Sequence, residues 1–157
     1  MKQMTLILAR SIMEEISAHA VEAFPHECCG FIVEREGRTA VVPVTNVQNR
    51  KHAEDAERFP RTAETAYTMG PEAAPVLIDH ERGRLVIRAI YHSHPQHDAY
   101  FSAEDRKQAT VWDEPSYPGA AQIVISVYDG VVKGVKTFAW NEERRDFAEV
   151  GLQVIEE

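Results

Sequence analysis

The apolar run Leu85 to Tyr91 passes without a break into His92-Ser93-His94-Pro95, and this stretch constrains the fold more than any other. Its length and its β-branched and aromatic content predict a buried strand. Alternate side chains of a strand share a face, so His92 and His94 point one way and Ser93 the other. Pro95 ends the strand and a polar loop follows. Ser102-Ala103-Glu104-Asp105 then opens the next predicted helix, which can return the Asp105 carboxylate to the histidines. His92, His94 and Asp105 make three ligands for a divalent metal. That number leaves a fourth position open, as catalytic zinc sites do and structural ones do not. The Ser-x-x-Asp spacing also fits a plain capping box, with Ser102 as N-cap and Asp105 as the answering carboxylate.

A further element lies upstream at Pro25-His26-Glu27-Cys28-Cys29-Gly30. Glu27, then His92-Ser93-His94-Pro95, then six residues, then Ser102-x-x-Asp105 resembles the signature of the JAMM (MPN-plus) zinc metalloprotease family. The flanking residues fit as well: apolar residues before His92, Phe101 before Ser102, and Cys-Gly within the Glu27 segment. The resemblance runs from about Thr5 to about Trp140, and no motif position departs from it. Being short and carrying Glu-Cys-Cys-Gly, the chain is most similar to the stand-alone prokaryotic members.

The resemblance implies a mixed α/β domain of α+β type: the MPN fold, a curved, largely antiparallel sheet flanked by helices and akin to that of the zinc cytidine deaminases. The residue pattern alone gives one layer of sheet and about three helices. The resemblance also implies one Zn2+ per chain on His92, His94 and Asp105. Zinc lowers the pKa of bound water from 15.7 to about 7. Glu27 is then expected as general base, taking a proton from that water and delivering it to the leaving amine. Ser102 is expected to hydrogen-bond the oxyanion. The implied substrate is a ubiquitin-like or sulfur-carrier protein cut after a carboxyl-terminal Gly-Gly.

Rival chemistries fit less well. His92 to Asp98 superficially resembles the His-x-His-x-Asp-His run of binuclear β-lactamase-like hydrolases, but position 96 is Gln and no histidine follows His97. Zinc deaminases need a Pro-Cys-x-x-Cys, which is absent from this chain. A non-catalytic MPN scaffold would lack the metal ligands present here, and a zinc amidase acting on a small molecule is the remaining alternative. His97, His26 and His52 read as polar rim residues, and His19 and His80 as structural or exposed. Adjacent Cys28 and Cys29 are poorly placed for a disulfide and read as small packing residues.

Composition bounds the rest. At 157 residues the chain is expected to form one domain, 1–157. Lys+Arg 17 against Asp+Glu 25 gives a net charge of −8, which disfavours nucleic-acid and anionic-membrane partners. No stretch has the length of a membrane span and no signal-peptide pattern is visible, so the expected location is cytoplasmic.

Along the chain, strands are predicted at Met4–Ala9, Cys28–Glu34, Thr39–Val47, Tyr67–Met69, Leu85–His94, Ala121–Tyr128, Val131–Trp140 and, in short form, Asp146–Ile155. Helices are predicted at Ser11–Phe24 (capped by Ser11), Pro71–Glu81 and Ser102–Trp112. Gln48–Ala66 and Asp113–Gly119 read as loops, which would flank the substrate tail. Asp129-Gly130 is the strongest hairpin signal.

Overall fold

The computed structural model describes residues 4–156. Seven strands form one sheet in the order β1-β9-β8-β7-β4-β2-β3. In chain order these are β1 (Thr5–Ala9), β2 (Cys29–Arg35), β3 (Arg38–Val44), β4 (Val86–Pro95), β7 (Ala121–Tyr128), β8 (Val131–Asn141) and β9 (Asp146–Ile155). The β1–β9 and β4–β7 contacts are parallel, and the others are antiparallel. A separate two-stranded ribbon, β5 (Thr110–Val111) with β6 (Glu114–Pro115), stands outside the sheet.

Helix α1 (Arg10–Ala23) covers one face, because Ile12, Ile16 and Ala20 recur every four residues and all are buried. They pack on Leu6, Leu8, Ile32, Ala89, Tyr91, Ile123 and Ile125. The other face carries Phe31, Val33, Val44, Ile87 and Ile90, closed over by Tyr67 and by Ala73 and Val76 of α3 (Ala73–Glu81). Alternation along β4 therefore sends Tyr91 to the α1 side and His92 to the other.

Several expected elements are corrected. Gln48–Ala66 is not all loop, since Gln48–Glu54 forms α2. This helix has no apolar face, so hydrophobic periodicity could not reveal it. Its side chains instead bond the segment that follows: Gln48 Nε2 donates to Arg61 O, Asn49 Oδ1 accepts from Ala63 N–H, and His52 Nδ1 donates to Phe59 O. Tyr67–Met69 is no strand but a single bridge between Met69 and Asn46. Helix α1 begins at Arg10, with Ala9 rather than Ser11 in the cap position, because β1 runs into it without a loop. Helix α4 (Ala103–Ala109) stops before Trp112. β-Branched Thr110 and Val111 turn into the ribbon, whose tip residues Trp112 and Asp113 both have positive φ. The ribbon is tied to the β8–β9 turn by Arg106, which bonds Asp113 and Asp146, and by Arg145, which bonds Glu114. The last strand is ten residues long rather than short.

Candidate active site

The carboxyl end of β4 carries the histidines. His92 Nε2 and His94 Nε2 lie 3.2 Å apart, as strand parity predicts. Ser93 points to the opposite face, where its Oγ accepts from the Cys28 N–H at 2.8 Å. That bond and the Cys29–His92 pairing bring the start of β2 against the end of β4, and so place Glu27 beside His94.

Asp105 arrives from α4. Ser102 caps that helix: its Oγ accepts from Asp105 N–H at 3.0 Å, and its own N–H donates to Asp105 Oδ2 at 3.0 Å. The capping box is therefore formed, and the same Asp105 carboxylate lies against the histidines. The cap orients the carboxylate so that Oδ1 lies 3.0 Å from His92 Nε2 and Oδ2 lies 3.1 Å from His94 Nε2. All three side chains are buried, and one ligand atom from each lies within 4.8 Å of the others.

The protonation of this cluster is that of a ligand set. His94 Nδ1 donates to the Asp98 carbonyl at 2.9 Å, which turns Nε2 toward Asp105 and His92 as the ring nitrogen free to act as a ligand. Burial lowers the pKa of His92 despite the nearby Asp105, which favours its neutral ring. Burial alone would raise the Asp105 pKa, but the adjoining His92 and His94 rings and the Ser102 N–H outweigh it and hold the carboxyl well below its ordinary range. The His94 Nε2 lone pair and Asp105 Oδ2 therefore face each other at 3.1 Å, two acceptors that repel unless a cation or a proton lies between them. A two-imidazole, one-carboxylate set suits zinc and related divalent ions.

Other elements steady the set. Ser126 Oγ donates to His97 O, Tyr128 Oη donates to Asp98 Oδ1, and Gln96 bonds Asp129 twice. The β7–β8 turn thereby fixes the loop that supplies the Asp98 carbonyl. The Tyr67 ring lies 4.9 Å from that of His92, and Tyr100 sits edge-on to His94 at 5.1 Å.

Glu27 is 6% exposed, and its Oε1 has no hydrogen-bond partner among the described residues. Burial first, then the Asp105 charge, raises its pKa to about 9, while Arg61 opposes the shift. A nearby divalent cation would reverse that balance. A cleft of about 240 Å3 opens here, lined by Glu27, Arg61, His94, Tyr100, Ser102 and Asp105 among others. It shares Arg61 and Glu104 with a larger groove of about 540 Å3 between segment 57–68 and α4.

Glu27, His92, His94, Ser102 and Asp105, all singled out from the sequence, thus meet in one place. His97 lines the cleft rim. His52 is not a rim residue but a tie within the 52–59 segment. His19 accepts from or donates to Tyr91 Oη at 2.7 Å on the α1 side, and His80 accepts weakly from Ile87 N–H, so both are structural. Cys28 and Cys29 are buried in the two opposite cores, and burial drives the Cys28 thiol up to about 12 and raises that of Cys29 as well, which makes both inert packing groups. Sequence reasoning missed Arg61, Tyr67 and Tyr100. Tyr100 lies two residues before Ser102 in the motif spacer, and that proximity was the one available signal.

The sequence profile of a family described as prokaryotic homologs of the JAB domain matches residues 9–141. A Thermus thermophilus protein named "probable TtuB-protein conjugate cleaving protease" is 33% identical over 113 residues, 71% of this chain and 68% of that protein. Among solved structures, a Desulfitobacterium hafniense protein superimposes with a TM-score of 0.68 at 25% identity, covering 98% of this chain and 94% of that one. A Salinibacter ruber protein gives 0.59 at 26% identity, covering 96% and 92%. A JAB1/MPN domain protein from Archaeoglobus fulgidus gives 0.54 at 17% identity over 96% and 99%, a likeness of fold.

Proposed function

The chain belongs to the family of prokaryotic JAB-domain homologs, and on that premise we propose that it is a zinc-dependent peptidase cutting the amide bond after the carboxyl-terminal Gly-Gly of a ubiquitin-like or sulfur-carrier protein. The observation that carries this reading is the buried meeting of His92, His94 and Asp105 beside the unpartnered Glu27 carboxyl, at the floor of an open cleft. The Thermus relative, named for cleaving protein conjugates, supports the protease class and the choice of a protein conjugate as substrate.

His92, His94 and Asp105 would hold a divalent metal, which would supply Lewis acidity toward a carbonyl and a water and would favour the carboxylate form of Glu27. Glu27, which lines the cleft and has its Oε1 unpartnered, takes the proton from the attacking water and hands it to the leaving amine. Its burial keeps competing hydrogen bonds away from that proton. Ser102 Oγ uses a lone pair to accept from Asp105 N–H, and its O–H remains to donate to the developing oxyanion. The groove running on from the cleft past Arg61 and Glu104 takes the extended tail on the acyl side. Glycines suit a narrow approach to the reacting atoms because they bring no side chain.

The test is a matched pair of fusions of a small ubiquitin-fold modifier, one ending Gly-Gly before the junction and one ending Ala-Val. Selective cleavage of the first is expected. Equal cleavage of both would make the enzyme a general peptidase. Cleavage of neither by metal-loaded protein would point to a small-molecule amidase instead.

A further inference from the structure

We propose that Asn46 is the residue that holds Glu27 in place for proton transfer, a positioning role that rests on the reading of Glu27 as general base. Glu27 lies in no strand or helix, and Oε1 has no partner to steady the carboxyl from its own end. Its placement therefore depends on its main chain. The Glu27 N–H donates to Ala63 O at 2.7 Å, and its carbonyl accepts from Asn46 Nδ2 at 2.9 Å.

The Asn46 amide makes four contacts. Nδ2 donates also to Ala66 O at 3.2 Å, while Oδ1 accepts from the N–H groups of Gln48 at 3.0 Å and Thr68 at 3.1 Å. A carboxamide has two donor hydrogens and two acceptor lone pairs, so its whole capacity is used. The orientation is fixed as well. Two partners are carbonyls and two are N–H groups, and a flipped amide would set like against like at every contact. One side chain thus ties the entry to β2, the start of α2 and the 66–68 segment into a single support under the cleft. Asn49 completes it by accepting from the N–H of Ala63, whose carbonyl anchors Glu27. Proton transfer is sensitive to such support: a misplacement of about 1 Å costs roughly 10²-fold in rate.

The discriminating variant is Asn46→Asp, which keeps size and acceptor oxygens but removes both donor hydrogens facing the Glu27 and Ala66 carbonyls. Asn46→Ala is the second variant, should the added charge prevent folding. On the Gly-Gly fusion, kcat is expected to fall about 10²-fold with KM within about twofold, and metal content per chain should stay unchanged. The control is His52→Leu, which cuts the His52–Phe59 bond in the same segment without touching Glu27; its kcat should stay near wild type. A readout independent of turnover is the 13C resonance of the Glu27 carboxyl in chelated protein, assigned by its loss in Glu27→Gln. It should move in the Asn46 variants and stay in His52→Leu. Retained kcat in both Asn46 variants, an equal fall in His52→Leu, or an unmoved resonance would overturn the proposal. A wild-type protein that cleaves no fusion would sink the peptidase reading instead, and the resonance would then decide the role of Asn46 alone.

Discussion

Glu27 separates two roles that a buried carboxyl can play near a metal. If it acts as base and not ligand, Glu27→Ala should retain stoichiometric metal and lose turnover, whereas Asp105→Ala should lose both. Elemental analysis of the purified variants checks this, and release of metal from Glu27→Ala would make Glu27 a ligand. The same side chain predicts a pH effect in chelated protein. Its pKa is raised from 4.5 to about 9 by burial and then by Asp105, so the folded state binds the proton more tightly than the unfolded chain. That stability is fully present below about 4.5 and is lost as pH rises toward about 9. Melting temperatures of metal-free wild type should therefore drop, relative to Glu27→Gln, across that window. Parallel curves would refute it. The histidines and Asp105 were readable in the sequence because strand parity and cap spacing are local rules. The burial of Glu27, and its support by Asn46 and Ala63, arise from pairing between distant segments, which no local rule contains.

At the scale of elements, β2 and β4 meet through a close contact that only glycine permits. A Cβ built on Gly30 would fall about 2.4 Å from Tyr91 Oη and about as near to its ring. Tyr91 is fully buried and its hydroxyl is bonded to His19 on α1, so the ring cannot swing away freely. Gly30→Ala should cost about 1–3 kcal/mol by overpacking. Because Gly30 lies one residue from Cys29, which pairs with His92, the strain should reach the His92, His94 and Asp105 cluster. Urea midpoints and metal affinity should both fall, and an unchanged midpoint would show that the ring relocates without cost. The β-strands were largely legible because each is apolar on at least one face. Helix α2 was hidden because its side chains bond backbone instead of packing. The early end of α4 was hidden because the 110–115 ribbon is set by Arg106 and Arg145 reaching across from and to a turn some thirty to forty residues away.

At the scale of the molecule, the strand order could not be read from the chain. The hairpins β2–β3 and β7–β8 follow from short turns, but the parallel pairings β4–β7 and β1–β9 join segments far apart in sequence. The second of these is the more consequential. Among the described strands β1 pairs with β9 alone, in register from Thr5–Gly151 to Ala9–Ile155. The family match ends at residue 141, before β9 begins. Yet β1 contributes buried Leu6 and Leu8 to the core under α1, and Leu152 of β9 packs there too. Without β9, β1 loses its only hydrogen-bonded neighbour, and α1, which follows β1 directly, loses the anchor at its start. Exposing side chains of this size costs about 1.5–3 kcal/mol each, against a typical total stability of about 5–15 kcal/mol. A chain ending at Asn141 should therefore lose cooperative unfolding or melt far below the full chain, even though every candidate site residue is retained. Circular dichroism melts of the two proteins decide it. Equal midpoints would mean that β1 and α1 hold the core without β9.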